Sequence, residues 1–209
     1  MRKWLVKLIN SYKEFKKYLE QLNKKPSLLL HACCGPCSTH TIKLLSEYFD
    51  ITVFFDNSNI DTLEEFEKRY IELKKVVKEF DNVKVLKNTY EPKTYYEAVK
   101  GYEHDGEFSM RCYKCMELRL INSFKYAEEH GFDLFTTTLS ISPYKNSDWI
   151  NEIGYRLAAD SNVGFLYSNF KKEEGYKNSI KISNELNLYR QHYCGCIYSK
   201  MELKEKING

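Results

Sequence analysis

Leu28-Leu29-Leu30-His31-Ala32-Cys33-Cys34-Gly35-Pro36-Cys37 is the stretch that decides the fold. A short, continuously apolar run reads as a strand covered on both faces, as in the interior of a parallel sheet. It passes straight into cysteines and a Gly-Pro turn, and a helix is predicted over Thr39 to Tyr48, with Ile42, Leu45 and Phe49 as its apolar face. Outward from this unit the pattern repeats. Ile51-Thr52-Val53-Phe54-Phe55 is a second buried strand that ends in the polar loop Asp56-Asn57-Ser58-Asn59-Ile60. Leu63, Phe66, Tyr70, Leu73, Val77 and Phe80, spaced by three and four, predict a long amphipathic helix closed at Asn82. Val83-Lys84-Val85-Leu86 is a third strand. Strand, helix, strand, helix, strand is the order of an α/β parallel sheet with flanking helices.

Upstream, Tyr12, Phe15, Leu19 and Leu22 share one helical face, and Pro26 ends that helix; residues 1–27 read as an N-terminal helical extension and 28–209 as a single α/β catalytic domain. Downstream, a helix is predicted from Cys112 and Cys115 through Phe124 and Ala127 to Gly131, then a strand at Leu134–Thr138. Ser142-Pro143 opens a loop, and another helix is predicted over Trp149 to Ala159, before an apolar stretch at Val163–Tyr167. Lys171 to Tyr193 reads as polar and basic.

The 209 residues suit one sizeable domain, and a net charge of +3 neither demands nor excludes a nucleic-acid partner. No apolar run approaches a membrane span, and the basic start meets Asn10-Ser11 before a signal-peptide core forms. The expected location is cytoplasmic, where thiols stay reduced. Seven cysteines nevertheless fall into three tight groups, Cys33/Cys34/Cys37, Cys112/Cys115 and Cys194/Cys196. Such grouping in a reducing compartment points to metal binding or electron exchange.

The first group lies at a strand-to-helix junction, where ligands of open α/β sheets bind and where a helix N-terminus favours thiolate. Cys34-Gly35-Pro36-Cys37 has the thioredoxin spacing, so a thioredoxin-like dithiol oxidoreductase is one reading, although it leaves the preceding Cys33 and four further cysteines unexplained. Cys112 and Cys115 share a helical face; with Cys33 and Cys34 they offer four thiolates to an iron–sulfur cluster or a zinc site. Cys194-Gly195-Cys196 reads as a labile redox pair, with extra metal ligation as the alternative. His31 reads as a core histidine, His192 as a weak candidate proton donor, and Asp56 as an oxygen ligand, an acid or a helix cap.

LLHACCGPCS at 29–38, VFFDNSNI at 53–60, RCYKCMELRL at 111–120, FTTTLSISPYKN at 135–146 and YRQHYCGCIYS at 189–199 together resemble the epoxyqueuosine reductases of the QueH type, over about residues 28 to 200. The resemblance implies a Rossmann-like sheet of the adenine-nucleotide α-hydrolase-like group. It implies reduction of epoxyqueuosine to queuosine at the wobble position of tRNA anticodons, the last step of queuosine biosynthesis, without cobalamin. By motif, Cys33, Cys34, Cys112 and Cys115 match the ligands of a [4Fe-4S] cluster, and Cys194 and Cys196 match the redox-active pair. An additional iron is left open. Asp56 stands where the family more often carries Tyr, and Ser58 where Pro is common, which weighs against a ligand role for Asp56. The implied partners are tRNA carrying epoxyqueuosine and an unidentified electron donor, with no membrane. Lys171, Lys172, Lys177, Lys181, Lys145 and Arg190 offer basic groups for the tRNA, and Tyr189 and Tyr193 offer rings for stacking. An iron–sulfur tRNA thiolase would need a Gly-rich ATP loop, for which HACCGPCS stands instead; a zinc-stabilised nucleic-acid-binding module is the non-enzyme alternative.

Overall fold

A computed structural model describes residues 9–208; residues 1–8, the head of the 1–27 extension, lie outside them. Five parallel strands, β1 (Ser27–His31), β2 (Asp50–Phe55), β3 (Lys84–Lys87), β4 (Leu134–Thr137) and β5 (Gly164–Phe165), lie in the order β3-β2-β1-β4-β5. The helices are α1 (Tyr12–Glu20), α2 (Gly35–Leu45), α3 (Leu63–Val77), α4 (Pro92–Ala98), α5 (Met110–Glu129), α6 (Ser147–Ala158), α7 (Gly175–Glu185) and α8 (Ile197–Asn208). A 3₁₀ turn at Thr138–Ile141 follows β4 directly.

β1 is central, and its register explains its composition. Leu28 and Leu30 face the core built with α1, α2 and α3, whereas Leu29 faces the core built with α5 and α6. All three are fully buried, each removing about 1.5–3 kcal/mol of apolar surface from water, an upper figure. A strand with two covered faces has no polar positions to alternate. Phe15 and Leu19 of α1 join the first of these cores.

β1 pairs with β2 on one side and β4 on the other, His31 standing level with both Phe54 and Thr137. The chain thus builds outward to β3 and then returns to the far side of β1. The crevice above the β1 and β4 carboxyl ends is the switch point at which such sheets bind ligands. His31 is fully buried there, with Nδ1 against Thr137 Oγ1 (2.8 Å) and Nε2 against the Asp56 carbonyl (2.9 Å), as a satisfied core histidine.

Several helices differ from the sequence expectation. α2 begins at Gly35, four residues early, because Pro36 supplies a preset first-turn φ. α3 closes at Val77, and Glu79 and Phe80 continue only as tight turns onto Val76 and Val77. α7 lies inside the stretch read as merely polar. Among the described residues, no helix is long and apolar enough to cross a membrane.

Candidate active site

Cys34 is the N-cap of α2, in extended backbone, so its side chain is delivered from the end of β1 to the head of a helix. That geometry needs Gly35: a Cβ there would stand 2.7 Å from the Glu72 carbonyl oxygen of α3. Cys33, Cys34 and Cys37 converge, and all three sulfurs lie within 4.8 Å of one another. Among the described residues this is the one group of three ligand-type side chains so close. Hydrogen bonds from Cys33 and Cys37 hold the Cys34 thiol well below its ordinary pKa, with further help from Arg69 and from Gln191, whose Nε2 lies 3.1 Å from Cys34 Sγ. The same bonds push Cys37 well above it.

The other four cysteines gather about a second, smaller cavity, which Cys112, Cys115, Cys194 and Cys196 line together with Arg119 and Lys145. Burial pushes the Cys115 thiol up to about 12 against the pull of Arg119. Burial also raises Cys196, next to its neighbour Cys194. Cys194 goes the other way: burial opposes ionisation, but the charges of Lys145 and Arg119 outweigh it and lower the thiol.

Two cations, Arg119 buried and Lys145 half-buried, decide what this centre needs. The Arg119 guanidinium, 2% exposed, donates to Cys115 Sγ at 3.3 Å and to the Cys115 carbonyl at 3.1 Å. Lys145, half-buried, puts Nζ 3.1 Å from Cys194 Sγ. Neither forms an ion pair with a carboxylate among the described residues. Buried charge without a partner is costly, so these cations answer to sulfur. Arg119 also feels the field of Cys33, and so links the first group to the second. Soft donors, two of them on one face of α5, beside cations that balance anionic sulfur, fit an iron–sulfur or other thiophilic metal centre.

A cavity of about 300 Å³ opens from these groups to solvent. Cys33, Cys37, Cys194, Arg119 and Lys145 line it together with Tyr144, Tyr176, Arg190 and His192. Arg190 Nη1 and Gln191 Oε1 are buried there without a hydrogen-bond partner among the described residues. Orphaned polar atoms at a cavity suit a polar ligand.

Asp56 is buried and its two oxygens accept from Asn88 (3.0 Å) and Asn122 (2.8 Å). It does not cap the next helix, whose N-cap is Thr62. Lys145, expected as surface charge, instead turns inward. Sequence reasoning passed over Arg69 and Arg119, though Arg119 stands one helical turn beyond Cys115, where it must share that residue's face.

The model of the family described as epoxyqueuosine reductase QueH matches residues 28–202. The chain belongs to the epoxyqueuosine reductase QueH family. It is accordingly an oxidoreductase. Relatives carrying the description epoxyqueuosine reductase QueH include one from Staphylococcus aureus, 39% identical over 204 residues (93% of this chain, 85% of the relative). Another, from Streptococcus pyogenes, is 40% identical over 188 residues (88% and 74%). A third, from Thermotoga maritima, is 38% identical over 182 residues (86% and 93%). Among solved structures, NMN synthetase from Francisella tularensis is similar at a TM-score of 0.47 and 12% identity, covering 95% of this chain and 87% of that one. The QueH match spans all three cysteine groups and the loop that carries Lys145.

Proposed function

We propose that this chain reduces epoxyqueuosine to queuosine in tRNA, completing queuosine synthesis at the wobble position. The carrying observation is the pair of cations Arg119 and Lys145, which stand against the sulfurs of Cys115 and Cys194 in one small cavity and pair with no carboxylate among the described residues. Cys33, Cys34, Cys112 and Cys115 would hold a [4Fe-4S] cluster, and Cys37 is the thiol left over for an additional iron. A bound cluster supplies electrons one at a time. Cys194 and Cys196 store an electron pair as dithiol or disulfide.

Opening an epoxide to an alkene consumes two electrons and two protons and releases water. Lys145 brings a cation and a proton to the cavity wall, where a breaking C–O bond develops negative charge. Arg190 and Gln191, with unpaired polar atoms at the cavity, are suited to the hydroxyls and base edge of a modified nucleoside. Tyr144, 65% exposed at the rim, offers a ring face to an unstacked base. A nucleoside extruded from the anticodon would enter here with its phosphates on Arg190 and neighbouring lysines.

The test is chain purified without oxygen, incubated with epoxyqueuosine-containing tRNA and a chemical reductant, followed by mass analysis of the released nucleosides. Loss of one oxygen with formation of queuosine is expected, and binding should weaken steeply with salt. Brown protein that leaves epoxyqueuosine intact across reductants would overturn the substrate assignment.

A further inference from the structure

The two sulfurs of Cys194-Gly195-Cys196 are held in different ways. Cys194 lines the open cavity, half-buried, with Lys145 Nζ 3.1 Å from its sulfur. Cys196 is 7% exposed, packed with Tyr95, Val99 and Cys115, and does not line that cavity. Cys196 instead stands at the head of α8: its carbonyl accepts from the Lys200 N–H (3.1 Å) and its Sγ accepts from the Ser199 N–H (3.4 Å). A cysteine sulfur takes the place of an N-cap oxygen.

The turn between them is fixed. The Cys194 N–H donates to Ser199 Oγ (3.0 Å), the Cys194 carbonyl accepts from Arg69 Nη1 (2.9 Å), and the Gly195 carbonyl accepts from the Asp61 N–H (2.9 Å). Gly195 has φ 124, a conformation that L side chains rarely adopt, and a Cβ there would stand 2.9 Å from Arg69 Nη1. The turn cannot easily rotate to exchange the positions of its two sulfurs.

We infer that the pair works with a fixed polarity: Cys194 is the sulfur that exchanges with an external dithiol reductant, Lys145 holds it for that exchange, and Cys196 is the internal leaving sulfur. This rests on the pair being the redox pair of the function proposed above. Starting from the Cys194–Cys196 disulfide, a thiolate of the reductant attacks Cys194 Sγ and forms a new S–S bond. The Cys194–Cys196 bond breaks and its electron pair leaves on Cys196 Sγ, which the Ser199 N–H receives and which then takes the proton of the reductant's second thiol. That second thiolate attacks its own partner sulfur, closing the reductant's disulfide. The electron pair now leaves on Cys194 Sγ beside the Lys145 ammonium. One protein disulfide is reduced and one dithiol oxidised, a transfer of two electrons. Access selects which sulfur is attacked, and the exposure of Cys194 at the cavity, against the packing of Cys196, sets the direction.

The experiment uses reduced chain purified without oxygen and a limiting amount of iodoacetamide. Cleavage after Arg190 and Lys200 releases residues 191–200, which carry both sulfurs, and fragmentation locates the label. Cys194 is expected to label at least tenfold faster than Cys196. In parallel, C196S and C194S chains are mixed with an aromatic disulfide, and the mixed disulfide is counted on the same peptide. C196S should form it at least tenfold faster than C194S. K145M added to C196S should slow it about tenfold, and K145R should restore most of the rate, which a purely structural lysine would not do. Equal or reversed labelling in the unsubstituted chain overturns the polarity, whatever happens to the variants. Turnover of epoxyqueuosine tRNA is scored separately: Cys194-first labelling without turnover supports the polarity and sinks the substrate assignment, whereas turnover with Cys196-first labelling does the reverse.

Discussion

Gly35→Ala should damage the metal centre through the fold. The added methyl would meet the Glu72 carbonyl oxygen at 2.7 Å and the carbonyl carbon at 2.8 Å, both backbone atoms of α3. Neither can swing aside as a side-chain tip would, so the head of α2 must retreat by about half an ångström. Overpacking of that kind costs roughly 1–3 kcal/mol. Taking about 2 kcal/mol, the melting temperature should fall by roughly 4–8 °C for a chain of this size. Because Cys34 and Cys37 bracket the displaced turn, the three sulfurs lose their mutual contact at the same time. Iron per chain after anaerobic reconstitution should therefore fall more than stability alone predicts. Gly106→Ala, at a position with nothing within 4 Å, is the matched control. A Gly35→Ala chain that melts with the parent and binds the same iron would refute the close approach of α2 to α3 as the device that sets the first loop.

Cys112→Ala should abolish bound iron and turnover together, by iron assay and nucleoside analysis; full turnover by iron-free chain would remove the cluster from the reaction. Arg119→Met leaves Cys115 and Cys33 without their buried cation, and metal affinity should drop about 10–100-fold, as for other groups that support ligands from outside the coordination sphere; unchanged affinity in a chelator competition would contradict that role. Burial raises the Asp61 carboxyl, but Lys200 at 2.6 Å and the Tyr193 hydroxyl at 2.8 Å outweigh it and hold the acid below its ordinary range. A depressed carboxyl contributes stability above its unfolded pKa of about 4, and loses it as pH falls toward the folded value. Asp61→Asn should cost about 1 kcal/mol at pH 7, the exposure of Lys200 having been discounted, and the gap to the parent in urea unfolding should close between about pH 5 and pH 3; a gap independent of pH would place the cost elsewhere.

The strands were legible because their residues have no other use: Leu28 to Leu30 are apolar without interruption and Ile51 to Phe55 are apolar but for Thr52, and a two-sided sheet is the structure that consumes such runs. α7 was not legible, for an equally physical reason. Its buried positions are Gly175, Ser179 and Ser183, small residues at every fourth place, which let it lie close against α2. Thr39 Oγ1 reaches the Ser179 carbonyl at 3.4 Å, and a Cβ at Gly175 would overlap the Phe170 carbonyl. Hydropathy does not register a face made of absent side chains. α4 was hidden behind Pro92, which reads as a breaker yet starts the helix. At the site, the cysteines announced themselves by spacing, but the cations did not. Arg69 and Arg119 look like solvent-facing residues of amphipathic helices until the sulfurs they answer to are brought beside them. Cys37 was left without a role in sequence, and its position within 4.8 Å of Cys33 and Cys34 is a fact of the α2 turn alone.

The bond from Gln191 to Cys34 joins the two ends of the chain. At roughly 5–20 residues per second, a growing polypeptide shows Cys33, Cys34 and Cys37 to the cell for about ten to thirty seconds before Gln191 and Cys194 exist. Arg119, Lys145 and β4, which completes the wall beside β1, are also made during that interval. The newborn chain thus carries its most exposed thiols at the moment when nothing shields them. Oxygen and stray metals threaten its maturation more than its working life, and low temperature with strict anaerobiosis during expression should matter more to the yield of active molecules than the same care afterwards.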